Sequence, residues 1–91
     1  MRVEVEVLCA PHPSQEIEAA LQSAGEQLAL RAESVSVEVR PTEQPAPQSI
    51  AVLTFEMRRA AQYKVVDDIY RTVKDCAWQF YEDITIRFPQ G

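Results

Sequence analysis

Glycine is almost missing from this chain. Gly25 and Gly91 are the whole supply. Loops that wrap phosphate need glycine where backbone N–H groups close on the anion, so a P-loop or dinucleotide fingerprint cannot be built. The turn after the first apolar run reads CAPHPS, with no glycine for an anion loop. Cysteine is equally scarce. Cys9 and Cys76 lie far apart, which excludes a C-x-x-C redox motif, a four-ligand zinc site and a disulfide framework. A metal carrier with paired cysteines in its first loop is excluded too, because Cys9 stands alone there. Positive charge is in deficit, 9 basic against 14 acidic side chains, for a formal net charge of −5. An acidic chain gains little of the phosphate attraction that drives nucleic-acid binding, so no nucleic-acid partner is expected. No apolar run nears the length of a membrane span, and the start, MRVEVEVL, alternates where a signal peptide would be continuously apolar. The expected location is the cytoplasm, with no membrane contact.

What is present is a sequence of clear periods. Ninety-one residues suit one domain, 1–91, with a thin core and no room for a buried cofactor; none is expected. Residues 2–9 alternate, with Val3, Val5, Val7 and Cys9 on one side and Arg2, Glu4, Glu6 and Leu8 on the other, as in a half-buried strand. After the PHPS break, Ile17, Ala20, Leu21, Ala24 and Leu28 follow at helical spacing, predicting a helix over 14–31 that carries Gly25 inside it. Residues 34–40 alternate again through Val35, Val37 and Val39. PTEQPAPQ, 41–48, holds three prolines and reads as an exposed loop. SIAVLTFEM, 49–57, is nearly all apolar, the pattern of a strand at the centre of a sheet. From 59 to 77 the period turns helical, with Tyr63, Val66, Ile69, Tyr70, Val73, Cys76 and Ala77 on one stripe. Residues 80–88 alternate once more.

The order strand, helix, strand, strand, helix, strand is the ferredoxin-like βαββαβ pattern. It predicts an α+β fold: a four-stranded antiparallel sheet in order 4-1-3-2, with both helices on one face. The other face stays open. It is expected to show Arg2, Glu4, Glu6 and Leu8; Ser34, Ser36, Glu38 and Arg40; Ile50, Val52, Thr54 and Glu56; and Tyr81, Asp83, Thr85 and Arg87. A single aromatic, Tyr81, on an acidic face argues against base stacking and hence against an RNA-recognition module.

Three places carry chemistry-bearing side chains. The stretch DCAWQFYED, 75–83, is where the second helix passes into the last strand, and Trp78 and Phe80 are expected to cap the end of the core there. The same end collects Cys9, His12 and Cys76, a set open to a soft metal or a thiol–imidazole pair; cysteines on inward stripes are more commonly inert. Asp67-Asp68 and Glu82-Asp83 are adjacent carboxylates that diverge on a helix or strand and cannot chelate as pairs. The opposite end gathers Arg2, Arg31, Arg58, Arg59 and Arg87. Cations ahead of a helix oppose its dipole, so Arg58 and Arg59, with Arg2 and Arg87, form a candidate anion- or partner-binding site; the alternative is rim ion pairs with Glu4, Glu33 and Glu56. With no catalytic constellation in view, the expected function is a non-catalytic accessory or regulatory domain working through contact with an unidentified protein partner. The alternatives are a homodimeric α/β-barrel ligand-binding protein or enzyme closed through the sheet face, and a small-anion module at Arg58 and Arg59. Monomer and homodimer both remain open.

Overall fold

The computed structural model describes residues 1–42, 48–59 and 61–89. The elements follow the predicted order: β1 (Arg2–Cys9), α1 (Ser14–Leu28), a 3-10 turn (Ala32–Ser34), β2 (Ser36–Pro41), β3 (Ser49–Glu56), α2 (Gln62–Cys76) and β4 (Tyr81–Arg87). The strands form one antiparallel sheet in the order β2-β3-β1-β4, the predicted arrangement read from the other edge. This is the ferredoxin-like fold. Val3, Val5, Val7 and Cys9 of β1 and Ala51, Leu53 and Phe55 of β3 point into one core with Ile17, Leu21 and Ala24 of α1 and Val65, Ile69 and Val73 of α2. Both helices therefore cover the same side of the sheet. Each large core side chain contributes about 1.5–3 kcal/mol by leaving water.

Element ends differ from expectation for local reasons. Helix α1 stops at Leu28 rather than at 31. Ala29 turns to extended backbone, and the N–H of Leu30 donates to the carbonyl of Glu56 at 2.8 Å instead of continuing the helix. β2 starts at Ser36 rather than 34, because Ser34 belongs to the 3-10 turn. Its hydroxyl donates to the Arg31 carbonyl at 2.7 Å and accepts from the Glu56 N–H at 3.1 Å. Helix α2 starts at Gln62 rather than 59, with the Lys64 and Val65 N–H groups donating to the Ala61 carbonyl.

The stripe on α2 is rotated from the predicted one. Val65, Ile69, Val73 and Ala77 are the buried positions, while Tyr63 is 80% exposed and Tyr70 41%. The i, i+4, i+8, i+12 set wins because it is all aliphatic and packs on the sheet without carrying phenol groups into the core. Trp78 does not cap the core either. It is 69% exposed, whereas Phe80 is buried as expected. A register shift between Leu8 and Cys9 explains one further difference. Leu8 faces Asp83 but Cys9 faces Tyr81, so Glu82 is an extra residue at a bulge. The bulge puts Tyr81 opposite inward-facing Cys9, toward α2, where the Lys74 ammonium lies 5.9 Å from its ring centre. The expected place of Tyr81 on the open face is thereby corrected.

Candidate functional site

The arginine pole is real as a grouping in the fold. Arg2 pairs in register with Glu56, and Arg58 and Arg59 follow two and three residues later, so all three sit at one end of the central strands. Arg58 and Arg59 are exposed, and among the described residues neither has a carboxylate within ion-pair distance. The first turn of α2 carries no acid, and no side chain caps it. Arg87 stands opposite Glu4 on β1 and is engaged on the sheet: its Nη1 lies 3.2 Å from Glu6 and 3.6 Å from Glu4.

At the other end, the Ala10 N–H donates to the Phe80 carbonyl at 2.7 Å, so the first turn and the α2–β4 turn do meet. The His12 ring lies 5.0 Å from that of Phe80, and its Nε2 is 3.0 Å from Glu16. The cysteines do not join it as a set. Cys9 is sealed in the core, its Sγ 3.5 Å from the Val7 carbonyl, and burial pushes its thiol up to about 11, helped by the charge of Glu82. Cys76 lies against α1, where Gln27 Nε2 donates to its Sγ at 3.6 Å; burial, with the Asp75 charge behind it, raises that thiol too. A nucleophilic cysteine needs the opposite shift. No cluster of three or more metal-ligating side chains occurs among the described residues.

The open face holds a concavity of its own. Strand register sets it in rows. Arg40, Ile50, Leu8 and Asp83 form one row across β2, β3, β1 and β4; Glu38, Val52, Glu6 and Thr85 form the next. Leu8, Ile50 and Val52 are half-buried with no helix above them, and the set Ile50, Val52, Thr54 and Glu56 faces outward as expected. Beside Leu8 and Ile50 lies a groove of about 610 Å³, also lined by Glu6, Arg40, Pro41, Thr42 and Gln48. Its upper wall is tied by hydrogen bonds. The Thr42 N–H donates to the Gln48 carbonyl at 3.1 Å, and Gln48 Nε2 donates to Glu82 at 2.6 Å. Glu6 already accepts from Arg87, whereas Arg40, 60% exposed, approaches only Glu38 among the described residues, through Nε at 3.5 Å. Residue-by-residue alternation places Leu8, Ile50 and Arg40 on this face. Alternation says nothing of their sharing one row, which depends on how the strands slide past each other. A second depression, of about 740 Å³, lies along the outer face of α2 between Tyr63, Val66, Asp67 and Tyr70. Its signal in the sequence is the two tyrosines, which helical spacing alone assigns to the core.

No protein-family model and no curated protein sequence matches the chain. A solved structure does: the "Putative antibiotic biosynthesis monooxygenase" from Bordetella bronchiseptica, at 10% identity and a TM-score of 0.48, with 96% of this chain and 95% of that one covered. The expectation of a non-catalytic accessory or regulatory domain acting through protein–protein contact is overturned against this likeness to a chain described as an enzyme. Arg87 is held by Glu4 and Glu6, and residues 43–47 of the proline loop lie outside the described residues. No helix among the described residues is long and apolar enough to cross a membrane.

Proposed function

We propose that this chain is a small-molecule-binding domain, of the kind that can serve as an enzyme, and that its site is the open face of the sheet at Leu8, Ile50 and Arg40. One observation carries the reading: three strands bring two half-buried aliphatic side chains and a guanidinium into a single row along a groove of about 610 Å³. That size falls in the range of about 300–1,000 Å³ typical of small-molecule sites, and an apolar floor with a few polar groups at the rim is their usual composition. A second copy of the chain laid sheet against sheet would roof the groove and bury Leu8, Ile50 and Val52. The likeness to the Bordetella bronchiseptica chain bears on the fold alone and adds nothing to the identity of the ligand.

The test is an amide-shift titration with 8-anilinonaphthalene-1-sulfonate. Shifts at Leu8, Thr42 and Ile50 in the native chain, lost in a folded Ile50→Glu variant, support the site. Shifts confined to Tyr63 and Tyr70, or unchanged binding by the variant, refute it. Mass in solution checks the roof: a dimer that Ile50→Glu dissociates supports it, and a monomer at millimolar concentration opposes it.

A second reading has its own observation. Arg58 and Arg59 are exposed ahead of a helix whose first turn has neither acid nor side-chain cap, and Arg2, opposite Glu56, lies at the same end of the sheet. Free N–H groups and guanidinium forks favour a small anion there. Phosphate should then raise the melting temperature of the native chain and not of the Arg58→Gln/Arg59→Gln variant. Equal shifts in both would remove this reading.

A further inference from the structure

The groove is apolar along one wall and cationic at one end, and that asymmetry names a ligand class. We infer that the open-face groove selects an amphipathic carboxylate: an aliphatic or aromatic body lying on Leu8 and Ile50, and an acid head meeting Arg40. The inference rests on the reading of the groove as a ligand site and goes further by assigning the ligand's charge and orientation.

The argument is one of charge complementarity, group by group. Five ionisable side chains from three strands line or border the groove: Glu6 of β1, Glu38 and Arg40 of β2, and Glu82 and Asp83 of β4. Glu6 accepts from Arg87 Nη1 at 3.2 Å, so its charge is answered from the β4 side. Glu82 accepts from Gln48 at 2.6 Å, outside the apolar floor. Glu38 lies one row away from Arg40, facing Val52, and comes only to within 3.5 Å of Nε. Among the described residues nothing occupies the two terminal nitrogens of Arg40, whose N–H donors form the planar fork that matches a carboxylate. Arg40 faces Ile50 directly across β2 and β3, so a head held by the guanidinium places its body over Ile50 and then Leu8. Thr42 and Gln48 at the upper wall add neutral hydrogen-bonding partners. Asp83, at the far end of the row, accepts from the Ile84 N–H at 2.9 Å. The net charge of −5 opposes anions at long range, so this selectivity is local.

Decanoate and decanol share a body and differ in the head. Both should shift the amides of Leu8 and Ile50, with decanoate bound more tightly. Arg40→Gln should remove that preference, weakening decanoate roughly two- to fivefold, the range open to an exposed ion pair, and leaving decanol unchanged. Arg40→Lys should restore it in part, since it keeps the charge and loses the fork. Arg40 is exposed on an edge strand, so both variants keep the fold. Equal affinity for acid and alcohol in the native chain overturns the carboxylate assignment and leaves the groove as a ligand site. Binding of neither compound overturns both.

Discussion

Replacing Gly25 by alanine pits helix propensity against packing, and the structure decides the sign. In an exposed helix interior the change should stabilise by up to about 1 kcal/mol. Gly25 is not exposed. It sits on the buried side of α1, where a Cβ would stand 2.6 Å from Val35 Cγ1 and 2.8 Å from Leu53 Cδ1. Both contacts are too short to keep. Leu53 is fully buried between strand and helix, and Val35 is β-branched and stiff, held between the 3-10 turn and β2. Relief must come from moving α1 off the sheet or forcing a side chain off its rotamer, at about 1–3 kcal/mol. The overlap exceeds the propensity gain, so Gly25→Ala should destabilise by about 1–2 kcal/mol. That corresponds to a fall of roughly 4–16 °C in melting temperature for a chain of this size. Denaturant unfolding of four proteins completes the test: native, Gly25→Ala, Val35→Ala and the double variant. In the Val35→Ala background one of the two short contacts is gone, and the cost of Gly25→Ala should shrink by about 1 kcal/mol or more. A Gly25→Ala protein more stable than the native one, or a cost unaltered by Val35→Ala, would refute the close approach of α1 to the sheet.

Further outcomes follow from the core and its edges. The buried Cys9 thiol stays protonated up to about 11, while in the unfolded chain it ionises near its ordinary 9.0. Above pH 9 the unfolded state holds fewer protons, so the stability contributed is complete below pH 9 and is lost by pH 11, about 2–3 kcal/mol in all. Cys9→Val should flatten that alkaline loss relative to the native chain; equal slopes between pH 9 and 11 would show the thiol to be solvated. Val65→Ala should cost about 1.5–3 kcal/mol in denaturant unfolding, and Tyr63→Ser within about 0.5 kcal/mol, the reverse of what a tyrosine-based stripe requires. The single tryptophan, Trp78, should emit as an indole in water and be quenched readily by iodide; a blue-shifted, protected emission would place it in the core.

Much of the fold was legible in the residue periods. Val3, Val5, Val7 and Cys9 face the core as their alternation says, and the near-continuous apolar run 49–57 lies inside the sheet, next to β1. Period failed where two stripes competed. On α2 the pattern admits Tyr63, Val66, Tyr70 and Val73 as readily as Val65, Ile69 and Val73, and only the packing partners choose between them. It failed again at Tyr81, because a bulge is a property of a pair of strands and Glu82 carries no mark of being the extra residue. The candidate site was half legible. Leu8, Ile50 and Arg40 were each placed on the open face, and nothing in one strand's sequence says which residue of the next strand will stand beside it.

The sequence by itself determined the element order, the antiparallel sheet and the absence of glycine-built phosphate loops, because hydrophobic period and backbone restriction are local properties of the chain. The tertiary structure alone decided strand register, helix rotation and the closeness of Gly25 to Val35. Those depend on how separately formed surfaces interlock, and that interlocking is what sets Arg40, Ile50 and Leu8 in one row.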